Sequence, residues 1–105
     1  TFDSNLGRVR LYGVDTPERG QRCYREATER LRELAGKTVR LEPGPRSRDP
    51  SGRLLAYAYT RWGDSIEEIL LREGLARSWT RDGQHRDFLV GLEEEAQLAG
   101  RGCLW

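Results

Sequence analysis

The sequence has little net charge and almost no lysine. Its 105 residues carry a formal net charge of +1, although 33% of them are charged, so bulk electrostatic attraction alone would not hold nucleic acid. Lys37 is the only lysine, and all other basic residues are arginine. Arginine binds phosphate through two parallel hydrogen bonds, but a GC-rich genome or a heat-loving source would give the same composition. Only individually placed arginines therefore indicate a site.

Cysteine is scarce, and methionine and long apolar runs are absent. Cys23 and Cys103 are too few and too far apart for a zinc site without other ligands, so they are either a disulfide in an exported, extracytoplasmic protein or two reduced thiols. No apolar run approaches membrane-spanning length and no signal peptide is present, which argues against a membrane partner. The chain starts at Thr1 without any methionine, which predicts a processed product or an excised piece.

The length fits one domain, in which strands precede and separate helices. Strand-forming residues predict a hairpin over residues 1–14 and two further strands in "TVRLEPG" and "RLLAYAYT". Apolar residues at helical spacing predict helices over 25–35, from Ser65 to Gly74, and over 86–99. The apolar stripe of the last helix comprises Phe88, Leu89, Leu92, Ala96 and Ala99. This order is typical of an α+β domain with a small antiparallel barrel or sheet.

Polar groups cluster where the stretch "VRLYGVDTPE", residues 9–18, stops being a strand. Gly13 allows a bend or a close backbone approach, and Pro17 ends strand pairing. Asp15 and Glu18 bracket this turn. Taken alone, Asp15 would more simply cap the turn. The functional interpretation therefore depends on the other motifs of the sequence.

A second turn places another arginine at a strand start. Residues 49–52, "DPSG", have the preferences of a type I turn, and Arg53 follows directly. Arg10 and Arg53 could both be solvated strand residues. Their coincidence with the acidic turn favours a phosphate site instead.

Four stretches in this order, "RVRLYGVDTPE", "DPSGRLLAYAY", "LLREGLARSW" and "GCLW", resemble the staphylococcal nuclease (thermonuclease-like) family over nearly the whole chain. The resemblance implies a single domain over residues 1–105 with an OB-type five-stranded β-barrel and three α-helices. It also implies hydrolysis of DNA and RNA phosphodiesters with calcium. The first barrel strand of the family has no counterpart here, so an N-terminally truncated domain is expected.

The resemblance assigns roles to five residues. Asp15 matches the calcium-ligand aspartate of the "VDTPE" motif, and Thr16 matches the residue whose backbone carbonyl also reaches the metal. Glu18 matches the glutamate that orients or deprotonates the attacking water. Arg10 and Arg53 match the two phosphate-binding arginines. Elementary chemistry agrees, because calcium prefers carboxylate and carbonyl oxygens and a phosphodiester needs positive charge on its oxygens.

Three further assignments concern Trp79, His85 and the two cysteines. Trp79 stands where the family often has aromatics that stack a base, but partial core packing is an equal alternative. His85 precedes the last helix, where capping or exposure to solvent is expected rather than general-base chemistry. Because the family's C-terminal tail packs near the first helix, Cys23 and Cys103 are expected to form a disulfide, and closing this loop is worth about 4 kcal/mol in the chain-entropy model.

The sequence departs from the family at two places. Pro50 and Ser51 replace a lysine and a tyrosine that would contact a terminal phosphate. The family's "DGDT" motif has a second carboxylate ligand just before the threonine that Thr1 matches, and Asp3, of opposite strand parity to that position, cannot replace it without a bulge. Weak calcium binding, poor hydrolysis and an open barrel edge are therefore expected, and a homodimer through that edge is one outcome.

Three functional classes follow from these observations. The first is a calcium-dependent nuclease acting on DNA or RNA, the second a noncatalytic nucleic-acid-binding module of the same fold, and the third a structural or interaction domain. Arg10, Asp15, Glu18 and Arg53 together favour the nuclease, because a module that only binds has no use for a water-activating glutamate.

Overall fold

The computed structural model describes all residues, 1–105, and its strands and helices follow the predicted α+β order. Three helices lie among six strands. The strands are β1 (Phe2–Ser4), β2 (Gly7–Leu11), β3 (Val14–Asp15), β4 (Val39–Arg48), β5 (Leu54–Thr60) and β6 (Arg77–Ser78). The helices are α1 (Tyr24–Ala35), α2 (Ile66–Arg72) and α3 (Arg86–Ala99). The short strand β6 was not predicted.

Four strands form one sheet in the order β1-β2-β5-β4, and β3 pairs with β6 in a second, two-stranded sheet. The expected antiparallel arrangement is wrong for one pair, because β2 and β5 run parallel with Arg10 level with Leu55. The four-stranded row ends at β1 and β4, and no closed barrel is seen. A cleft of about 970 Å³ lies between β1 and α1, and the segment that joins α1 to β4 closes one side of it. Pairing of two chains through the open edge stays a prediction.

The helices begin and end close to the predicted residues. Ser65 caps α2, since its Oγ accepts a hydrogen bond from the Glu68 N–H at 3.1 Å. Along α3, Leu89, Leu92 and Ala96 are buried. Phe88 is 55% exposed, so its placement on the apolar stripe was wrong. At about 100° per residue, Phe88 lies roughly 70° from the centre of the buried face.

The C-terminal tail packs back onto the start of α1 and the end of α2. Cys103 forms a disulfide with Cys23, with the α-carbons 5.8 Å apart, so the predicted pairing is confirmed. A Cβ on Gly102 would lie 1.8 Å from the Glu73 carbonyl oxygen, so only glycine allows this close approach. The Leu104 N–H donates to the Gly74 carbonyl at 3.0 Å, which fixes the last residues of the chain. None of the helices has both the length and the apolar character needed to cross a bilayer.

Glu67 is buried in the core although its side chain is ionisable. Its side chain is inaccessible to solvent, and both carboxylate oxygens accept from the Ala58 N–H, at 3.2 and 3.0 Å. Burial raises the pKa of Glu67 to about 8, against the opposing effect of these backbone hydrogen bonds. The folded protein therefore holds a proton that the unfolded chain releases at much lower pH.

This difference predicts that stability falls with rising pH. The unfolded glutamate ionises near pH 4.5 and the folded one near pH 8, so the unfolded state binds fewer protons between these values. The free energy of unfolding should then decrease by up to about 1.4 kcal/mol per pH unit in that window. Glu67→Gln should flatten this dependence, measured by urea unfolding at about pH 5, 6.5 and 8. Glu68→Gln, which changes the partly exposed neighbour, is the control, and equal slopes in Glu67→Gln and the parent would contradict the assignment.

Candidate functional site

The acidic turn forms one wall of an open cleft, called here the turn cleft. Its volume is about 630 Å³, and it is lined by Asp15, Thr16, Pro17, Glu18, Gln21, Arg22, Arg77 and Leu104. Strand β3 ends at Asp15, because Pro17 has no N–H with which to continue a ladder. The structure thus brings three of the predicted site residues into one place.

The turn fixes the backbone of Glu18 while leaving its carboxylate free. The Glu18 N–H donates to Gln21 Oε1 at 2.7 Å, and the Gln21 N–H donates to the Glu18 carbonyl at 2.9 Å. No protein group pairs with the exposed Glu18 carboxylate. This acid can therefore accept a proton from a molecule bound in the cleft.

Arg10 reaches the same turn from strand β2. Its Nη2 donates to Asp15 Oδ1 in an ion pair, in which the Arg10 side chain is 20% exposed and that of Asp15 is 52% exposed. The Arg10 guanidinium also lies 4.7 Å from the ring centroid of Trp79. The arginine is therefore held on two sides, while the carboxylate remains half open to solvent.

Arg53 is ordered by the turn that precedes it. Its N–H donates to Asp49 Oδ1 at 2.8 Å and its Nε to Asp49 Oδ2 at 2.6 Å, while its Nη1 donates to Thr1 Oγ1 at 3.2 Å. Burial opposes ionisation of Asp49, but the hydrogen bonds from Arg53 lower its pKa overall. The predicted turn is confirmed, since the Gly52 N–H donates to the Asp49 carbonyl at 2.9 Å.

Arg53 forms no hydrogen bond or ion pair with Arg10, Asp15 or Glu18. It precedes by two residues Leu55, which is level with Arg10 on the adjacent strand. The two arginines thus lie on neighbouring segments of the chain, close to the paired ends of β2 and β5.

A second arginine, Arg46, packs near Trp79, and nothing in the sequence indicated this contact. Arg46 donates Nε to Asp82 Oδ2 at 2.8 Å and Nη2 to Asp82 Oδ1 at 3.0 Å, and its Cζ lies 4.9 Å from the Trp79 ring centroid. The Tyr12 hydroxyl donates to the same Asp82 at 3.0 Å. The hydrogen bonds from Arg46 are the main reason that the pKa of Asp82 is lowered.

Trp79 is consequently part of a packed group. Its ring lies 5.4 Å from that of Tyr12, and Arg10 and Arg46 both lie over it. A base that stacks on Trp79 would compete with these neighbours for the ring. In the structure the ring instead helps to position Arg10. Stacking of a base stays a prediction.

His85 lies outside the turn cleft in a separate polar group. Its Nε2 is 2.7 Å from Glu42 Oε1, and the Tyr59 hydroxyl donates to the same oxygen at 3.0 Å. The hydrogen bond from His85 is the main cause of the lowered pKa of Glu42. Of the two expected roles, capping by the side chain is not seen, because His85 makes no side-chain cap hydrogen bond to α3. The side chain is instead 39% exposed.

The turn cleft offers calcium ligands of the right kind but few of them. Calcium takes about six to eight oxygen ligands, and Asp15 with the Thr16 carbonyl supplies hard oxygen donors. No group of three or more His, Cys, Asp and Glu side chains converges anywhere in the chain. The protein thus fits calcium in the type of donor and leaves most of the coordination sphere to water or to a bound anion.

Comparisons with known proteins agree on one family. The family described as "Staphylococcal nuclease homologue" matches residues 8–105. The SPbeta prophage-derived endonuclease YokF of Bacillus subtilis (strain 168) is 42% identical over 86 residues, covering 73% of this chain and 28% of that protein.

Two more relatives match over a longer stretch. An uncharacterized endonuclease of Escherichia coli O157:H7 is 35% identical over 100 residues, covering 93% of this chain and 62% of that protein. A thermonuclease of Staphylococcus intermedius is 35% identical over 105 residues, covering 90% of this chain and 61% of that protein. The chain thus spans less than two thirds of the length of each of these relatives.

The packing around Trp79 predicts a structural cost on its removal. Trp79→Leu leaves the Arg10 and Arg46 guanidinium groups without their ring, so the free energy of unfolding should fall by about 1–2 kcal/mol. The measurement is urea unfolding of the oxidised protein. Trp62→Leu is the matched control, because Trp62 is 76% exposed, and a change within about 0.5 kcal/mol is expected there. Equal stability of both variants would show that the ring is not part of the packed group.

Proposed function

Because the chain belongs to the staphylococcal nuclease family, as its ordered motifs predicted, we propose that it hydrolyses phosphodiester bonds of DNA or RNA with calcium as cofactor. The observation that carries this proposal is the meeting of Asp15, Thr16 and Glu18 in one cleft with Arg10 bound to Asp15. The endonuclease and thermonuclease names of the relatives support it.

Each residue then has a defined task. Arg10 and Arg53 hold the nonbridging oxygens of the scissile phosphate by charge-assisted hydrogen bonds, which strengthen as negative charge builds on those oxygens. Glu18 accepts the proton of the attacking water, since its carboxylate has no competing partner. Asp15 and the Thr16 carbonyl would hold calcium, which when bound supplies positive charge next to the phosphate.

The ion pair between Arg10 and Asp15 links phosphate binding to cation binding. In the structure each charge neutralises the other. A phosphate that draws Arg10 away leaves the Asp15 carboxylate free for a cation, and a cation on Asp15 releases Arg10. Binding of the phosphate should therefore favour binding of the cation. Thermodynamic linkage makes the effect of the cation on phosphate binding equally large.

The alternative is a noncatalytic nucleic-acid-binding module of the same fold. One observation favours it. Apart from the catalytic candidate Glu18, the turn cleft contains only one carboxylate that could bind calcium, that of Asp15. A low calcium affinity would make hydrolysis slow under limiting calcium.

We also propose an extracytoplasmic location. Disulfides persist mainly in oxidising compartments, and the Cys23–Cys103 bond supports this assignment.

Two substitutions test the catalytic roles. Glu18→Gln removes the proton acceptor and should slow cleavage of a single-stranded oligonucleotide by about 10²–10⁴-fold, with saturating calcium and excess protein. Arg53→Ala should slow it by about 10²–10³-fold, and Arg53→Lys should rescue it poorly because lysine cannot bind bidentately. Glu29→Gln and Arg25→Ala, at exposed positions on α1, are the controls. Thermal unfolding checks that each variant keeps its fold, and near-parental rates in Glu18→Gln would refute the role of Glu18 as proton acceptor.

Calcium binding tests the ligand assignment separately. Calorimetric titration of the parent should give a weak dissociation constant, on the order of 10⁻⁴–10⁻³ M. Asp15→Asn should weaken it further, by about tenfold or more, because it removes the one charged ligand. Asp64→Asn, in an exposed turn, should leave the affinity unchanged. If Asp15→Asn bound calcium as tightly as the parent, another set of ligands would be responsible.

A further inference from the structure

We propose that Arg22 and Arg77 form a second phosphate-binding subsite in the turn cleft, which holds a phosphate next to the cleaved one along a nucleic-acid strand. The proposal rests on the proposed nuclease function and extends it to the substrate's neighbouring phosphate. Both arginines line the cleft that contains Asp15 and Glu18. Neither forms an ion pair with a carboxylate.

The position of Arg77 opposite Asp15 makes its lack of an ion pair informative. The two residues are direct partners across strands β3 and β6, so their side chains project from the same face and opposite charges there normally attract. Asp15 is bound to Arg10 instead. The Arg77 guanidinium lies 4.7 Å from the ring centroid of Trp105. Trp105 thus holds Arg77 beside the cleft with its charge uncompensated.

Arg22 is fixed by the same tail of the chain. Its Nη2 donates to the Cys103 carbonyl at 2.6 Å and to the Leu104 carbonyl at 3.0 Å. A guanidinium has five N–H donors, and the other nitrogens of Arg22 have no protein acceptor. The tail therefore orients both arginines while leaving donors free for an anion.

The charges of the cleft select the kind of anion that fits. Asp15 and Glu18 repel a free phosphate. In a nucleic-acid strand, binding of the neighbouring phosphate by Arg10 and Arg53 supplies free energy that offsets this repulsion. A cleft of about 630 Å³ is within the range of roughly 300–1,000 Å³ that is usual for small-molecule sites. The subsite should therefore favour a strand with several phosphates over a substrate with a single phosphodiester.

Binding measurements test the subsite without requiring cleavage. The protein is used in its oxidised form in the Glu18→Gln background, with a single-stranded DNA oligonucleotide as the probe. Arg77→Gln should weaken binding about five- to tenfold, and the slope of log K against log salt should fall by about 0.7, the value for one phosphate contact on a single strand. Arg22→Gln should act in the same direction. Arg25→Gln, which alters an exposed arginine of α1 outside the cleft, should change neither quantity.

Kinetic measurements supply the second readout, in protein that retains Glu18. Arg77→Gln should raise KM for the oligonucleotide about five- to tenfold with kcat unchanged, and it should leave hydrolysis of a dinucleotide with one phosphodiester unchanged. Trp105→Leu frees Arg77 to pair with Asp15 and should also lower the salt slope. An unchanged salt slope in Arg77→Gln, or an equal loss on the dinucleotide, would overturn the subsite. Absence of cleavage by the parent protein with calcium would overturn the nuclease function instead, while a lowered salt slope in Arg77→Gln would still establish the subsite.

Discussion

The disulfide between Cys23 and Cys103 holds together the two parts of the chain that form the turn cleft. The acidic turn lies a few residues before Cys23, and Cys103 begins the tail that contacts Arg22 and Arg77. The two cysteines are separated by 80 positions, so without the bond the tail would depend on a few local contacts. The crosslink contributes about 4 kcal/mol in the chain-entropy model, and it acts where the proposed chemistry occurs.

Aspartate side chains pair with three of the arginines, which helps to explain why an arginine-rich chain has a net charge of only +1. Arg10 is held by Asp15, Arg53 by Asp49, and Arg46 by Asp82. Each pair orders a guanidinium before any ligand arrives, which lowers the entropy lost on binding. In the turn cleft, by contrast, the Glu18 carboxylate has no partner. An acid without a partner among ordered arginines is what a proton acceptor beside a bound phosphate requires.

Local sequence signals predicted the turns, the helices and the family, because each depends on residues close in the chain. The cap at Ser65 and the "DPSG" turn before Arg53 are examples. Contacts between distant segments were not predictable in this way. Arg46 meets Asp82 across 36 positions, and the parallel pairing of β2 with β5 has no local signature. The burial of Glu67, a residue with an ionisable side chain, follows from the packing of α2 against Ala58.

Cleavage of a labelled single-stranded DNA oligonucleotide by excess oxidised protein, with millimolar calcium in one arm and a chelator in the other, tests the proposed function most directly. The arrangement of Asp15, Glu18, Arg10 and Arg53 predicts slow but complete cleavage with calcium and none with the chelator. Binding of the oligonucleotide without cleavage in either arm would contradict the nuclease function and identify the chain as a noncatalytic binding module. Cleavage that is unaffected by the chelator would contradict the role of calcium.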